Sequence, residues 1–250
     1  MRPVPRRIAV SGALMLSAAC IATIGCSRIP GRPGPGPDVV RPEEVLDFPT
    51  LYKQNCAACH GATGKNGAAI SLANPVYLAV AGEDNIGTTI AQGVSGGLMP
   101  PFAKSSGGAL TDAQINALAK GLIHQWGKPN LLDGQNAPPY EATLTGDVER
   151  GRQAFASSCA QCHGPAGKGS PGDPKSGAGK LGSLVDPSYL ALITDQNLRS
   201  ITIAGRPDEG MPDWRSDGAQ PLTDQHITDI ITWLASNRTA DPGQPYRTHP

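Results

Sequence analysis

Two short runs, Cys56-Ala57-Ala58-Cys59-His60 and Cys159-Ala160-Gln161-Cys162-His163, hold the residues best able to do chemistry. A C-x-x-C-H run lets one helical turn present two thiols to the edge of a flat ring, where they bond covalently to haem vinyl groups. The next residue, a histidine, then faces the iron. Three other uses of such cysteines compete. Paired zinc knuckles usually lie about 15 to 20 residues apart, whereas these pairs begin 103 residues apart, at Cys56 and Cys159. A thioredoxin-like pair needs a strand before it and a helix after it; here a glycine-rich loop follows each histidine, with Gly61, Gly64 and Gly67 in the first and Gly164, Gly167 and Gly169 in the second. Structural disulfides would leave both histidines unexplained. The duplicated motif therefore predicts two covalently bound haem c groups.

Apart from Met1 and Met15, the only methionines are Met99 and Met211. Methionine is usually a core filler. Both of these, however, precede a proline in a glycine-containing loop, Gly96-Gly97-Leu98-Met99-Pro100-Pro101 and Asp208-Glu209-Gly210-Met211-Pro212-Asp213. With these motifs in place, the chain from about Asp47 to Arg238 resembles two tandem class I cytochrome c domains. The resemblance implies a small helical bundle around each haem, with His60 and Met99 as axial ligands of one iron and His163 and Met211 of the other. Iron closed on both sides transfers electrons and does not activate substrate, and the soft thioether raises its potential. Related domains often carry a Gly-Pro pair that orients the ligating histidine. Gly67-Ala68 and Gly182-Ser183 do not reproduce it, so the acceptor of the imidazole proton is open.

The elements that must position these residues are legible as a repeat. Ser71 to Leu122 aligns with Ser183 to Leu234 without a gap, at a constant offset of 112 residues, with Met99 opposite Met211. The shorter offset between the motifs leaves nine extra residues between His163 and Ser183, in the Gly/Pro/Lys-rich stretch Gly169 to Gly182, read as a surface loop. Asn74-Pro75 and Asp186-Pro187 predict capped helix starts. Gly93 and Gly205 end the following helical segments as left-handed terminating residues would. Thr111 to Gln114 is a capping box opening a helix to about Trp126, and Thr223 opens its counterpart, running to about Asn237. Phe48 to Asn55 and Gly151 to Ser158 are short helical candidates upstream of the motifs. The resemblance has each crossing the carboxy-terminal helix through aromatic packing. Phe155 and Trp233 fit that crossing in the second domain; in the first, Tyr52 fits but Gly121 stands in place of Trp233, which brings Trp126 into consideration. No segment alternates in the manner of a strand, so the class is all-α.

The composition agrees. In 250 residues, 31 glycines and 24 prolines with only 4% aromatics leave a thin apolar core for each domain, and a buried haem would supply the missing mass. Lys plus Arg equals Asp plus Glu at 21 each, so there is no electrostatic case for nucleic-acid binding. Arg199 and Arg206, opposite Gly87 and Val94 in the repeat, are candidates to pair with haem propionates or to be solvated. Unequal haem potentials follow as an expectation. His124, His226 and His249 read as solvated or capping residues.

Residues 1–26 read as an export signal, with Arg2, Arg6 and Arg7 before an apolar run. It ends in Thr23-Ile24-Gly25-Cys26, which resembles a lipobox with Cys26 as the lipidated residue; Cys20 is an earlier candidate. Residues 27–46 form a Pro/Gly-rich linker unable to build helix or sheet. The expected organisation then continues with a first cytochrome c domain at 47–127, an interdomain linker at 128–146, a second domain at 147–238 and a tail at 239–250. The resulting expectation is a dihaem cytochrome on the periplasmic side of a bacterial membrane, held by a lipid. It would pass single electrons between a donor and an acceptor redox protein, one of them a membrane respiratory or photosynthetic complex. Two alternatives stay open: a fixed subunit of a larger oxidase, reductase or dehydrogenase, and a dihaem peroxidase, against which two well-formed methionine loops argue.

Overall fold

Proline and glycine spacing dictates where helices start and stop in this chain. The computed structural model describes residues 36, 40–172, 180–215 and 221–239. The export signal, Cys20, Cys26, most of the amino-terminal linker, residues 173–179 of the inserted loop and the tail from residue 240 lie outside the described residues.

In the first repeat α1 (Phe48–Asn55) leads into the single turn α2 (Ala57–His60), followed by α3 (Pro75–Gln92) and α4 (Asp112–Trp126). In the second, α5 (Val148–Ser158) leads into α6 (Ala160–His163), then α7 (Pro187–Leu192), α8 (Asp195–Ala204) and α9 (Asp224–Ala235). Among the described residues short 3-10 turns and isolated bridges, and no strands, occur beside these helices, so the all-α expectation holds. None of the described helices is long and apolar enough to cross a membrane.

The expected caps are present. Asn74 and Asp186 each accept from two backbone N–H groups ahead of a proline at the helix start. Both capping boxes form, Thr111 with Gln114 and Thr223 with His226; His226 is thus a capping residue. α3 is interrupted at Gly82 (φ 71°, ψ 165°), which aligns with Thr194, the cap that separates α7 from α8.

Gly93 and Gly205 end α3 and α8 but are not left-handed helical. Their φ values of 69° and 67° are positive as expected, whereas ψ is −166° and −176°, an extended region open essentially to glycine.

The amino-terminal linker ends sooner than its proline content suggests. Pro42–Glu44 forms a 3-10 turn, and the Gln114 amide donates to the carbonyls of Pro42 (2.9 Å) and Val45 (3.1 Å), tying this turn to the start of α4.

Each repeat buries its own apolar cluster, centred on Leu51, Leu78, Leu118 and Leu122 in the first and on Phe155, Ile203, Ile227 and Ile230 in the second. The crossings differ as the aromatic pattern requires. Phe155 and Trp233 pack between α5 and α9 with ring centroids 4.5 Å apart and planes tilted by 44°. In the first repeat Trp126 packs edge-on against Tyr52 (5.1 Å) and Phe48 (5.9 Å).

The two repeats also touch. Ala204 of α8 belongs to the first cluster, and Val80 of α3 packs against the second. The interdomain linker runs along this contact: the Tyr140 side chain packs on the first cluster, while its carbonyl accepts from Gln196 (2.9 Å) and Arg199 (3.1 Å). Arg199 corrects an expectation. It is neither solvated nor free to meet a propionate, being 2% exposed with its guanidinium donating to the carbonyls of Pro139 and Tyr140, to Thr228 and to Asp224.

Candidate functional site

Cys56 closes α1 and opens α2. Its N–H donates to the Tyr52 carbonyl (2.9 Å), and its own carbonyl accepts from Cys59 (3.2 Å) and His60 (3.0 Å). Cys159 repeats this, donating to Phe155 (2.8 Å) and accepting from Cys162 (3.2 Å) and His163 (3.0 Å). One helical turn therefore carries all three groups of each motif, with the cysteines three residues apart on one face.

Cys59 and Cys162 are exposed, and Cys56 and Cys159 half-buried. Burial pushes the Cys56 and Cys159 thiols up to about 11, with the neighbouring cysteine adding to the effect. A redox-active C-x-x-C pair shows the opposite, a lowered thiol pKa, so the arrangement does not favour thiolate chemistry. Among the described residues no three His, Cys, Asp or Glu side chains cluster to hold a metal ion by themselves.

The first glycine loop folds back on its motif. Tyr52 Oη donates to the Gly61 carbonyl (2.7 Å), Ser71 Oγ to that of Gly64 (3.1 Å), and Ala69 N–H to that of Cys59 (2.9 Å). A Cβ on Gly67 would lie 2.2 Å from the Cys59 carbonyl oxygen, so only glycine permits this approach.

The fold answers the question of the imidazole proton for one domain. His60 Nδ1 lies 2.8 Å from the Ile70 carbonyl, which can only accept, so Nδ1 carries the proton and the Nε2 lone pair is available. His163 has no such partner among the described residues, where its Nδ1 is buried and unpaired. Gly182 takes the aligned place of Ile70, at the end of the inserted stretch. Burial pulls both imidazoles below their ordinary pKa, the Ile70 carbonyl partly opposing this for His60. Neutral imidazole is the ligating form.

The methionine loops hang from the glycines that end α3 and α8. A Cβ on Gly93 would sit 2.6 Å from Pro100 C, and one on Gly205 2.5 Å from Pro212 C, so each loop crosses directly over a glycine Cα. Val94 N–H donates to the Met99 carbonyl (3.0 Å), and Arg206 and Met211 exchange both backbone bonds (2.9 and 3.0 Å). Met99 packs on the same cluster as Cys56. Trp214 carries no motif of its own in the sequence. It is 4% exposed, and its alignment with Phe102 next to the methionine loop is the one signal that marks it.

The donor set of each domain, two thiols, a neutral imidazole and a thioether, fits a haem c. The second domain adds two buried donors that find no acceptor among the described residues, Arg206 Nε and Trp214 Nε1. Both flank the Met211 loop and suit carboxylates carried by a bound ring.

Residues 44–120 match the family model described as Cytochrome C oxidase, cbb3-type, subunit III, and residues 148–238 match that described as Cytochrome c. The chain is a tandem class I cytochrome c. Its two domains carry two covalently bound haem c groups. The tandem cytochrome is similar to the Cbb3-type cytochrome c oxidase subunit FixP of Sinorhizobium medicae (strain WSM419), 32% identical over 129 residues, covering 48% of this chain and 39% of the relative. It is also similar to the subunits CcoP of Azospirillum sp. (strain B510), at 29% over 148 residues (53% and 45%), and of Rhodobacter capsulatus, at 29% over 199 residues (74% and 60%). The match thus spans between 39% and 60% of the length of these relatives.

Proposed function

We propose that this dihaem cytochrome passes single electrons between redox partners as an electron-transfer subunit of a membrane respiratory complex of the cbb3 oxidase kind, on the periplasmic side of a bacterial membrane. The observation that carries the reading is the duplicated ligand set: each domain holds its C-x-x-C-H turn on one element and its methionine on a loop seated over a glycine. The domain matches to oxidase subunits of that printed name support the choice of complex.

In this reading the first domain spans 47–127 and the second 147–238. Cys56, Cys59, Cys159 and Cys162 form the thioether links. His60 and His163 would bind iron through Nε2, and Met99 and Met211 would supply its thioether ligands. Bound haem supplies one-electron redox chemistry. The protein's part would be to hold neutral imidazoles in place, to supply thioether ligands, and to offer Arg206 Nε and Trp214 Nε1 to propionates. Packing of α3 on α8 and the strap at Tyr140 keep the two ligand sets in one orientation, as relay between them requires. Cys26 is the proposed lipid anchor.

Co-purification from native membranes tests this. The cytochrome should leave a mild detergent extract with haem-copper oxidase subunits, and reduced complex should transfer electrons through it on addition of oxygen. Recovery of the cytochrome free of any oxidase, with oxidase activity intact without it, would contradict the subunit role.

A further inference from the structure

Asn74 faces two ways. Its Oδ1 caps α3, accepting from the N–H groups of Val76 (2.9 Å) and Tyr77 (3.3 Å). Its Nδ2 crosses to the second repeat and donates to the carbonyls of Ala204 (2.9 Å) and Gly205 (3.2 Å). The residue is 4% exposed. The aligned residue, Asp186, caps α7 by the same geometry, Oδ1 accepting from Ser188 (2.9 Å) and Tyr189 (3.0 Å), but is exposed. Asp and Asn cap helices about equally well, so capping does not account for the amide at position 74. Only the amide offers a donor, and here that donor is spent on the other domain.

The carbonyls it reaches belong to the seat of the second methionine loop. Gly205 lies under the Met211–Pro212 backbone, where a Cβ would come within 2.6 Å of the Met211 carbonyl oxygen. The next residue, Arg206, exchanges two backbone bonds with Met211. Asn74 itself lies four residues after Ile70, whose carbonyl orients His60. A short chain of covalent and hydrogen bonds thus joins the histidine side of the first domain to the methionine side of the second.

We propose that Asn74 is a positioning residue for Met211: its amide fixes the Ala204–Gly205 backbone so that the seat keeps the thioether on the second haem iron, and ligation in the second domain depends on the first. The proposal rests on the reading above that Met211 is an axial ligand. A bond that merely glued two domains together would not select one iron.

The test uses the full dihaem protein carrying Met99→Ala, in which the weak red methionine-to-iron band reports Met211 alone. Asn74→Asp and Asn74→Ser are added separately. Both keep a capping oxygen and remove the donor; the serine variant adds no charge and carries the test if the aspartate variant fails to assemble. One buried hydrogen bond is worth about tenfold in an equilibrium constant. Carbon monoxide should therefore bind the second ferrous haem about tenfold faster than in the Met99→Ala parent, with a weaker red band and unchanged haem content. Introduced without Met99→Ala, either substitution should lower the potential of one haem and leave the other in place. Unchanged carbon monoxide kinetics and band in both variants would overturn the positioning role, as would equal effects on both irons. Absence of the red band in the Met99→Ala parent would instead overturn the ligand reading on which the proposal rests.

Discussion

Phe48 occupies the space above Gly121: a Cβ there would lie 2.1 Å from Phe48 Cδ2, at the position where the second domain places Trp233. The two domains solve one crossing with opposite allocations of bulk, glycine under phenylalanine in the first, and Gly151 of α5 against α9 in the second, where a Cβ would meet the Asp229 carbonyl oxygen at 2.0 Å.

Gly121→Ala should therefore destabilise the first domain by about 1–3 kcal/mol through overpacking, although alanine is the better helix former. Gly151→Ala should do the same to the second domain. Denaturant unfolding followed by the spectrum of each haem separates the two; a gain in stability from either substitution would contradict the packing account.

Asp229 links α9 to the start of α5. Its carboxylate, 3% exposed, accepts from Arg150 Nε and Nη2 (2.8 and 2.9 Å), Asp147 N–H (2.7 Å) and Gln225 Nε2 (2.9 Å). The Arg150 hydrogen bonds lead in holding its pKa below the ordinary value, against the cost of burial. A folded-state pKa that is depressed gives stability present above the unfolded value, about 3.9, and lost as pH falls through the folded one. The second domain should thus lose stability below about pH 4. Asp229→Asn should weaken it by about 1–3 kcal/mol at pH 7 and flatten the acid limb of its melting temperature against pH. An unchanged acid limb would show that other carboxylates carry it.

The haems should differ in potential. In the proposed ligand set, donation from His60 Nδ1 to the Ile70 carbonyl would make that imidazole the more basic ligand and favour ferric iron, whereas His163 has no acceptor among the described residues. The first haem should be the lower in a spectroelectrochemical titration, with Met99→Ala and Met211→Ala assigning the two waves. The reverse order would place control elsewhere in the pockets.

What was legible in the sequence was whatever depends on neighbours along the chain. The C-x-x-C-H turns, the Asn74 and Asp186 caps, the Thr111–Gln114 capping box and the class follow from local spacing, and the repeat carries Met99 onto Met211. Contacts made across the fold were not legible. Arg199 looked like a surface or propionate residue because nothing local shows that the Pro139 and Tyr140 carbonyls, 60 and 59 positions away, would use its donors. Asn74 read as a cap, since its second set of partners lies 130 positions on. The acceptor for His60 had no signature either, because a backbone carbonyl belongs to every residue type. Gly93 and Gly205 are legible as stops, but their ψ is set by the loops crossing over them.

In the proposed reading, attachment to the membrane rests on Cys26. Cys26→Ser should release the cytochrome from the membrane fraction with its haem spectrum intact. Retention in washed membranes, with the oxidase removed, would point to an uncleaved amino-terminal span or to Cys20.

Carbon monoxide binding to the reduced, unmutated protein tests the central claim most directly, because it asks whether both irons are closed. With His60 and Met99 on one and His163 and Met211 on the other, neither should bind carbon monoxide readily. Met99→Ala and Met211→Ala should each open one iron and abolish half of the red band. Rapid binding by the unmutated protein at either haem would contradict the account, removing at least one methionine from the ligand set and electron relay from the role of that domain.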